Sequence, residues 1–268
     1  MAVFDVSMRS SSLGHITHMV AVVPTERMAF PGRPEPEPVK DLRLLILLHG
    51  YSGIDTDWIR GSSIAELAMR HNIAVVMPDG GNSFYLDDEI LGELYETLLW
   101  KEIPRFVRDT FPISARREDT FNGGFSMGGY GALRTALHHP EVFAGAIGLS
   151  SGLLTDQLSA MKHGDRRMMV TRLSYYEHHF GDLDQVKGSD FDPKALASKA
   201  LALGEKKPAL YIACGTEDHA IEMSRDFHAY LDGIGYEHTY EEGPGIHNFA
   251  FWDTYIKRAL DWMDAQKA

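Results

Sequence analysis

Hydrophobic positions run along the chain first in alternation and then in unbroken blocks. The N-terminal stretch FDVSMR alternates apolar and polar residues, and Ile16–Val23 (ITHMVAVV) is rich in β-formers, so both read as strands. Residues 10–14 between them form a polar stretch ending in glycine, which predicts an antiparallel hairpin at a sheet edge. Residues 30–38 (FPGRPEPEP) carry prolines too closely spaced for a helix or a central strand and are expected to form a surface loop. Beyond that loop the alternation stops. Continuous apolar runs occupy residues 42–48, 73–77, 119–125, 144–149 and 209–213, the pattern of parallel strands buried on both faces.

Helical stretches fall between these runs, at residues 63–71, 93–109, 127–138, 221–231 and 249–263. Pro104 interrupts the second and is expected to kink it. Strands alternating with helices predict an α/β fold, with a mostly parallel central sheet, helices on both faces and the N-terminal hairpin at one edge. No internal repeat appears, and residues 1–268 are expected to form one domain. Residues 152–207 break the rhythm, because they are too long for a plain crossover. They hold Met161, Met168, Met169, Tyr175 and Tyr176, and read either as decoration on the scaffold or as a cap or wall over a site.

The candidate chemistry begins at residues 124–128, Gly-Phe-Ser-Met-Gly. The pattern G-x-S-x-G is unspecific by itself, but here a β-prone run precedes Ser126 and a helix-like run with small residues follows. That is the context of a nucleophile elbow, a sharp strand-to-helix turn that holds a serine Oγ clear of the backbone. Flanking glycines relieve the crowding of such a turn. The helix N-terminus behind Ser126 offers free N–H groups to a developing oxyanion. A nucleophilic serine needs a base, and the base needs an orienting acid. Two later loops at strand ends supply them. Residues 211–218 (YIACGTED) form a strand followed by two acids, Glu217 and Asp218, with Asp218 the expected acid and Glu217 its competitor. Residues 242–247 (EGPGIH) place His247 before the last helix as the expected base. A second oxyanion donor, beside the N–H of Met127, is expected at the turn HGYSG that ends the run at 42–48, from the N–H of Tyr51. The Tyr51 side chain would then stand beside the acyl group, and Trp58 would serve in the core or as a wall. The adjacent pairs His138-His139 and His178-His179 invite a metal reading. No H-E-x-x-H motif is present and the chain has one cysteine, so no catalytic metal is expected.

Taken together, His49-Gly50, GFSMGG with Ser126, the loop ending in Asp218 and the loop ending in His247 resemble the α/β-hydrolase superfamily. The N-terminal FDVSMRSSSLGH, the VVMPDGGNSFY segment and the YETLLWKEIPRFV stretch bring the resemblance closer to the esterase D branch and its tributyrin esterase group of small bacterial carboxylesterases. The resemblance implies hydrolysis of short-acyl carboxylic esters without a cofactor, with Ser126 as nucleophile, His247 as base, Asp218 as acid, and the N–H groups of Met127 and Tyr51 as oxyanion hole. It also implies a small ester as substrate and allows a homo-oligomer. Relatives include S-formylglutathione hydrolases, acetyl xylan esterases and feruloyl esterases, which stay open as alternatives. GFSMGGYGAL departs from the GHSMGGHGAL form usual in the glutathione-linked relatives, and the loop after His49 lacks their cysteine; both departures disfavour that reading. A thioesterase, peptidase or acyltransferase with the same three residues, or a non-catalytic scaffold, are the remaining rivals.

Charge and composition narrow the partners rather than the chemistry. Lys plus Arg is 26 and Asp plus Glu is 38, a formal charge of −12. That disfavours nucleic acid and anionic membrane surfaces as partners. The single cysteine, Cys214, rules out an internal disulfide and reads as packing rather than nucleophile. The N-terminus shows no basic flank followed by a long apolar stretch, and no apolar run approaches membrane-spanning length, so a soluble cytoplasmic protein is expected.

Overall fold

The computed structural model describes residues 1–25, 39–161 and 172–266. The proline-rich residues 30–38, and Met168 and Met169, lie outside them. Eight strands form one sheet: β1 (Ala2–Arg9), β2 (Ile16–Val23), β3 (Arg43–Leu48), β4 (Ile73–Pro78), β7 (Thr120–Phe125), β8 (Gly145–Leu149), β9 (Ala209–Gly215) and β10 (Thr239–Gly243). Two short strands, β5 (Asp87–Asp88) and β6 (Glu93–Leu94), pair separately. The order across the main sheet is β1-β2-β4-β3-β7-β8-β9-β10. β1 pairs antiparallel with β2, and β2 with β4. All later pairings are parallel. The mostly parallel sheet and the N-terminal hairpin are those expected from the hydrophobic pattern.

Every residue of β3, β4, β7 and β8 is buried, which explains their unbroken apolar sequences. Successive side chains of a strand point to opposite faces, and the core divides accordingly. Leu44, Ile46 and Leu48 join the larger apolar cluster with residues of the helices Ile103–Thr110, Met127–His138, Pro193–Ala200 and Ile221–Gly233. Leu45 and Leu47 join a second cluster on the other face, under the helices Ile64–His71 and Phe249–Ala265.

Three departures have physical causes. The helix expected at 93–109 is broken. Glu93–Leu94 is strand, Tyr95–Thr97 a single helical turn, and Leu98–Glu102 a π-helical turn that leads into the helix Ile103–Thr110. Pro104 has no N–H to donate to the carbonyl four residues back. It therefore sits in the first turn of a new helix, where that donor is not needed. β10 was hidden because TYEEG is polar; it is an edge strand, half-buried along its whole length. A short helix, Asp57–Gly61, follows the β3 turn and lacked the length to show a period.

β3 has β4 on one side and β7 on the other, so the chain reverses direction across the sheet there. Open α/β sheets bind ligands in the crevice at the carboxyl ends of the strands flanking such a switch. The parallel register sets Leu48 opposite Gly124, Phe125 opposite Leu149, and Gly243 opposite Gly215. The loops that follow these strands therefore emerge at one edge.

Candidate active site

β7 stops at Phe125 and the next helix starts at Met127, leaving Ser126 alone in the turn with φ 55° and ψ −120°. A non-glycine residue held there is strained by about 1–3 kcal/mol and persists only when its surroundings fix it. The Ser126 N–H donates to Leu149 O at 2.9 Å, and the Ser126 carbonyl accepts from Gly152 N at 2.9 Å and Tyr130 N at 3.1 Å. Two glycines make room. A methyl group at Gly124 would lie 2.5 Å from the Gly128 carbonyl, and one at Gly128 would lie 2.5 Å from His49 O and 2.6 Å from Leu48 O. The helix thus starts hard against the end of β3.

Asp218 sits in the turn after β9, where its N–H donates to Gly215 O at 3.1 Å. Its side chain is wholly buried. His247 sits between β10 and the last helix, with Nδ1 2.9 Å from Asp218 Oδ1 and 3.0 Å from Oδ2. The two loops run together: Thr216 N donates to Gly243 O and Glu217 N to Gly245 O, and a side chain on Gly215 would strike the Gly245 carbonyl. Burial pushes the Asp218 carboxyl up, but hydrogen bonds from His247, the Ala220 N–H and Ser150 outweigh it and hold the carboxyl below its ordinary value. An ionised carboxylate only accepts, so Nδ1 of His247 carries a proton and Nε2 is the nitrogen left to act as base in the neutral ring. Glu217 does not compete for the histidine; its Oε2 accepts from Gly245 N at 2.7 Å and braces the loop instead.

The turn after β3 is held by His49. Its Nδ1–H donates to Gly50 O at 2.8 Å, and its Nε2 accepts from Gly80 N at 2.9 Å. Ser52 N donates to Asn82 Oδ1 at 2.6 Å. Among the described residues neither the Tyr51 N–H nor the Met127 N–H has a hydrogen-bond acceptor.

Ser126, Met127, Tyr51 and His247 line one small cavity of about 60 Å³, walled by Phe84, Leu154, Tyr176, Ala220 and Met223. Four of the sequence-predicted residues therefore meet in one space, and Asp218 stands directly behind His247. Leu154 and Tyr176 come from residues 152–207, so part of that stretch is a wall of the cavity. Trp58 is core: it is buried, donates to Leu48 O and packs against Phe125 and Phe249. A larger polar cleft of about 390 Å³ lies at the amino ends of β3 and β7, lined by Arg43, His71 and Asp119 among others. Arg43 and His71 there are already paired with Asp264, and Asp119 with Arg116.

Sequence reasoning missed Ser150, Trp252 and His219. Ser150 follows β8 with φ 45° and accepts from Trp252 Nε1 at 3.1 Å. Trp252 stacks on Phe125 at 4.0 Å and meets the His247 ring edge-on at 5.1 Å. His219 lines the cavity, with its ring 4.3 Å from that of His247. Ser150 could have been noticed only as a strand-end polar residue beside Ser151. The other two carry no local signal. The pair His138-His139 is not simply solvated. It flanks the buried Glu96, which also pairs with the buried Arg134 at 2.7 Å, and a cation beside that guanidinium would be repelled.

Comparison with known proteins finds esterases and serine hydrolases. Residues 25–263 match the family model described as "Putative esterase". An acetyl esterase of Caldicellulosiruptor saccharolyticus is 40% identical, with 98% of each chain aligned. Two solved structures from Staphylococcus aureus are each 34% identical over 98% of both chains: the substrate-bound fluorophosphonate-binding serine hydrolase F, with a TM-score of 0.83, and an S-formylglutathione hydrolase without ligand, with a TM-score of 0.81.

Proposed function

Because the chain belongs to the esterase family defined by that model, we propose that it is a serine carboxylesterase that hydrolyses short-acyl carboxylic esters through a covalent acyl-enzyme. The observation that carries the reading is the meeting of Ser126 at a strained elbow with the Asp218–His247 pair in one small apolar cavity. In this reading His247 Nε2 takes the proton from Ser126 Oγ as Oγ attacks the ester carbonyl. The N–H groups of Met127 and Tyr51 hold the oxyanion. His247 then gives its proton to the leaving alcohol, and the same histidine activates the water that frees the acid. Asp218 stays ionised and fixes the histidine tautomer. Among the described residues no hydrogen bond yet joins Ser126 to His247, and such catalytic contacts commonly tighten when substrate binds.

The cavity supports a short acyl group. A volume of about 60 Å³ closed by Phe84, Leu154, Tyr176 and Met223 leaves room for only a few carbon atoms beyond the carbonyl. The acetyl esterase relative at 40% identity supports an oxygen ester of a small acid, in the tributyrin esterase group of the family. A second reading, a thioester such as an S-acyl glutathione, is favoured by the S-formylglutathione hydrolase at 34% identity.

The test is a rate profile over p-nitrophenyl esters from acetate to dodecanoate, run beside S-acyl glutathiones, with wild type and Ser126→Ala. We expect the highest kcat/KM at two to four acyl carbons, and loss of both turnover and fluorophosphonate labelling in Ser126→Ala. Undiminished turnover by a correctly folded Ser126→Ala protein refutes the proposal. Preference for the thioester by more than tenfold selects the second reading.

A further inference from the structure

His219 is the residue at the cavity for which the reaction has no use. It follows Asp218 directly, its side chain is 63% exposed, and its Nδ1 lies 3.6 Å from Asp218 Oδ1. Among the described residues its ring makes no hydrogen bond and touches the His247 ring, tilted by 43°. Two imidazoles and a carboxylate thus offer ligand atoms all within 4.8 Å of one another.

We propose that His247 and His219 form an inhibitory binding site for a borderline divalent cation, Zn²⁺ in the first place, at the mouth of the cavity. His247 already has the form of a zinc ligand. Its Nδ1–H is donated to a buried carboxylate, which fixes the ring and leaves Nε2 as the coordinating atom, the arrangement that usually stands behind a metal-bound histidine. The His219 ring is engaged by no hydrogen bond among the described residues and is mostly exposed, so a ring nitrogen is open to an ion. Two imidazoles bound to one zinc at about 2.0–2.1 Å hold their ring centres about 5 Å apart. The pair stands at 4.3 Å, and the exposed His219 ring can swing out by the difference. The remaining positions of a tetrahedral ion would be open to water or to Ser126 Oγ. Asp218 would stay behind His247 as the outer partner.

The other histidine clusters are less suited. Arg134 closes the one at Glu96, and His178 Nε2 is already engaged by Asp88 at 2.5 Å. His228, Asp232 and His238 are a surface group in which His228 Nδ1 faces His238 Nε2 at 2.8 Å, and they serve as the control.

An ion on Nε2 removes the lone pair that takes the serine proton, so binding and turnover exclude one another. That consequence rests on the proposed role of His247; the binding does not. Equilibrium dialysis of ZnCl2 against the full chain therefore comes first, with wild type, Ser126→Ala, His219→Gln and His228→Gln, each checked for folding by circular dichroism. We expect wild type, Ser126→Ala and His228→Gln to bind at the same site, and His219→Gln to bind at least about tenfold more weakly. The Zn²⁺ concentration that halves each protein's own esterase rate should rise by the same factor in His219→Gln. Unchanged binding in His219→Gln, or loss of the site in His228→Gln, overturns the proposal whether or not the protein is an esterase. Binding that follows His219 with no effect on turnover overturns the inhibitory role and also counts against His247 as base.

Discussion

Gly128→Ala is the smallest change that should separate catalysis from folding at the elbow. The added methyl group would lie 2.5 Å from His49 O, 2.6 Å from Leu48 O and 2.8 Å from Leu48 C, where ordinary contact begins near 3.4 Å. All three are backbone atoms, so no side chain can swing away. The helix that begins at Met127 and the end of β3 must part by most of an ångström. Overpacking of this size costs about 1–3 kcal/mol, and a domain of this size loses about 2–4 °C in Tm per kcal/mol, so a fall of roughly 2–12 °C is expected. Activity should suffer more. The two elements pushed apart carry the Met127 and Tyr51 N–H groups, the proposed oxyanion donors, and loss of one such donor costs about 10²–10³ in kcat. Gly233→Ala, at the end of the helix Ile221–Gly233, meets nothing within 4 Å. It serves as the matched control, with wild-type rate and an unchanged or slightly higher Tm. Thermal melts and steady-state hydrolysis of p-nitrophenyl acetate give both numbers. A Gly128→Ala protein with kcat within twofold of wild type and an unshifted Tm would refute the claim that this contact sets the oxyanion geometry.

Other changes probe neighbouring steps. Asp218→Asn should leave the fold intact and lower kcat by about 10³–10⁴, because the histidine loses the partner that fixes its tautomer; a loss below tenfold speaks against Asp218 as the acid. Ser126→Gly should abolish turnover yet keep or raise Tm, since relief of about 1–3 kcal/mol of backbone strain outweighs the entropic cost of glycine, about 0.5–1 kcal/mol; a clear drop in Tm shows the turn to be unstrained. Burial pushes Glu96 up, but hydrogen bonds from His138 and His139 and the charge of Arg134 hold it far below its usual value. Its stabilising effect is therefore complete above the ordinary glutamate pKa, about 4.3, and is lost as pH falls through the depressed folded value. Glu96→Gln should cost about 3–5 kcal/mol at pH 7 by leaving Arg134 without its counter-charge, with the gap to wild type closing in acid melts; a gap constant with pH contradicts the ion-pair account. Burial pushes the Cys214 thiol up to about 11, so iodoacetamide should label it only after unfolding and leave esterase activity unchanged; rapid native labelling counts against its packing role.

The sheet was legible because four of its strands are buried on both faces, and burial on both faces leaves no polar position to confuse the pattern. β10 is half-buried at an edge, and its TYEEG sequence looks like a loop. The elbow was legible for a different reason. The contacts at Gly124 and Gly128 allow no side chain, and that exclusion is written directly into the local sequence. Asp218 and His247 stood out because each lies in a short polar loop after a strand end or before the last helix. His219 and Trp252 were not legible. What brings them against His247 is the parallel register of β9 and β10 and the packing of the last helix against Phe125 of β7, and neither leaves a mark on the residues themselves. The break in the helix expected at 93–109 belongs between these cases. Pro104 announced an interruption, but not that the chain would pass through a π-helical turn to place the proline in a new first turn.

Ser126 and Ser150 share one backbone device put to two uses. Each follows a buried parallel strand, each has a positive φ, and each donates its N–H to a carbonyl of the next strand across: Ser126 to Leu149 O at 2.9 Å and Ser150 to Ala213 O at 2.8 Å. A left-handed residue at that point turns the chain out of the sheet and sends the side chain over its carboxyl edge. At the end of β7 the Oγ so presented lines the cavity. At the end of β8 it is buried between the Trp252 N–H and the Asp218 carboxylate. In the proposed reaction the first serine is the nucleophile, and the second braces the carboxylate behind the histidine. Both need the strand across from them in exact register, because the hydrogen bond that holds the strained turn comes from that neighbour and not from the turn itself. A register slip in β8 would therefore disturb both ends of the proposed relay, Ser126 through Leu149 and Asp218 through Ser150. That dependence gives a physical reason for the site to sit over the most deeply buried strands of the sheet rather than near its edges.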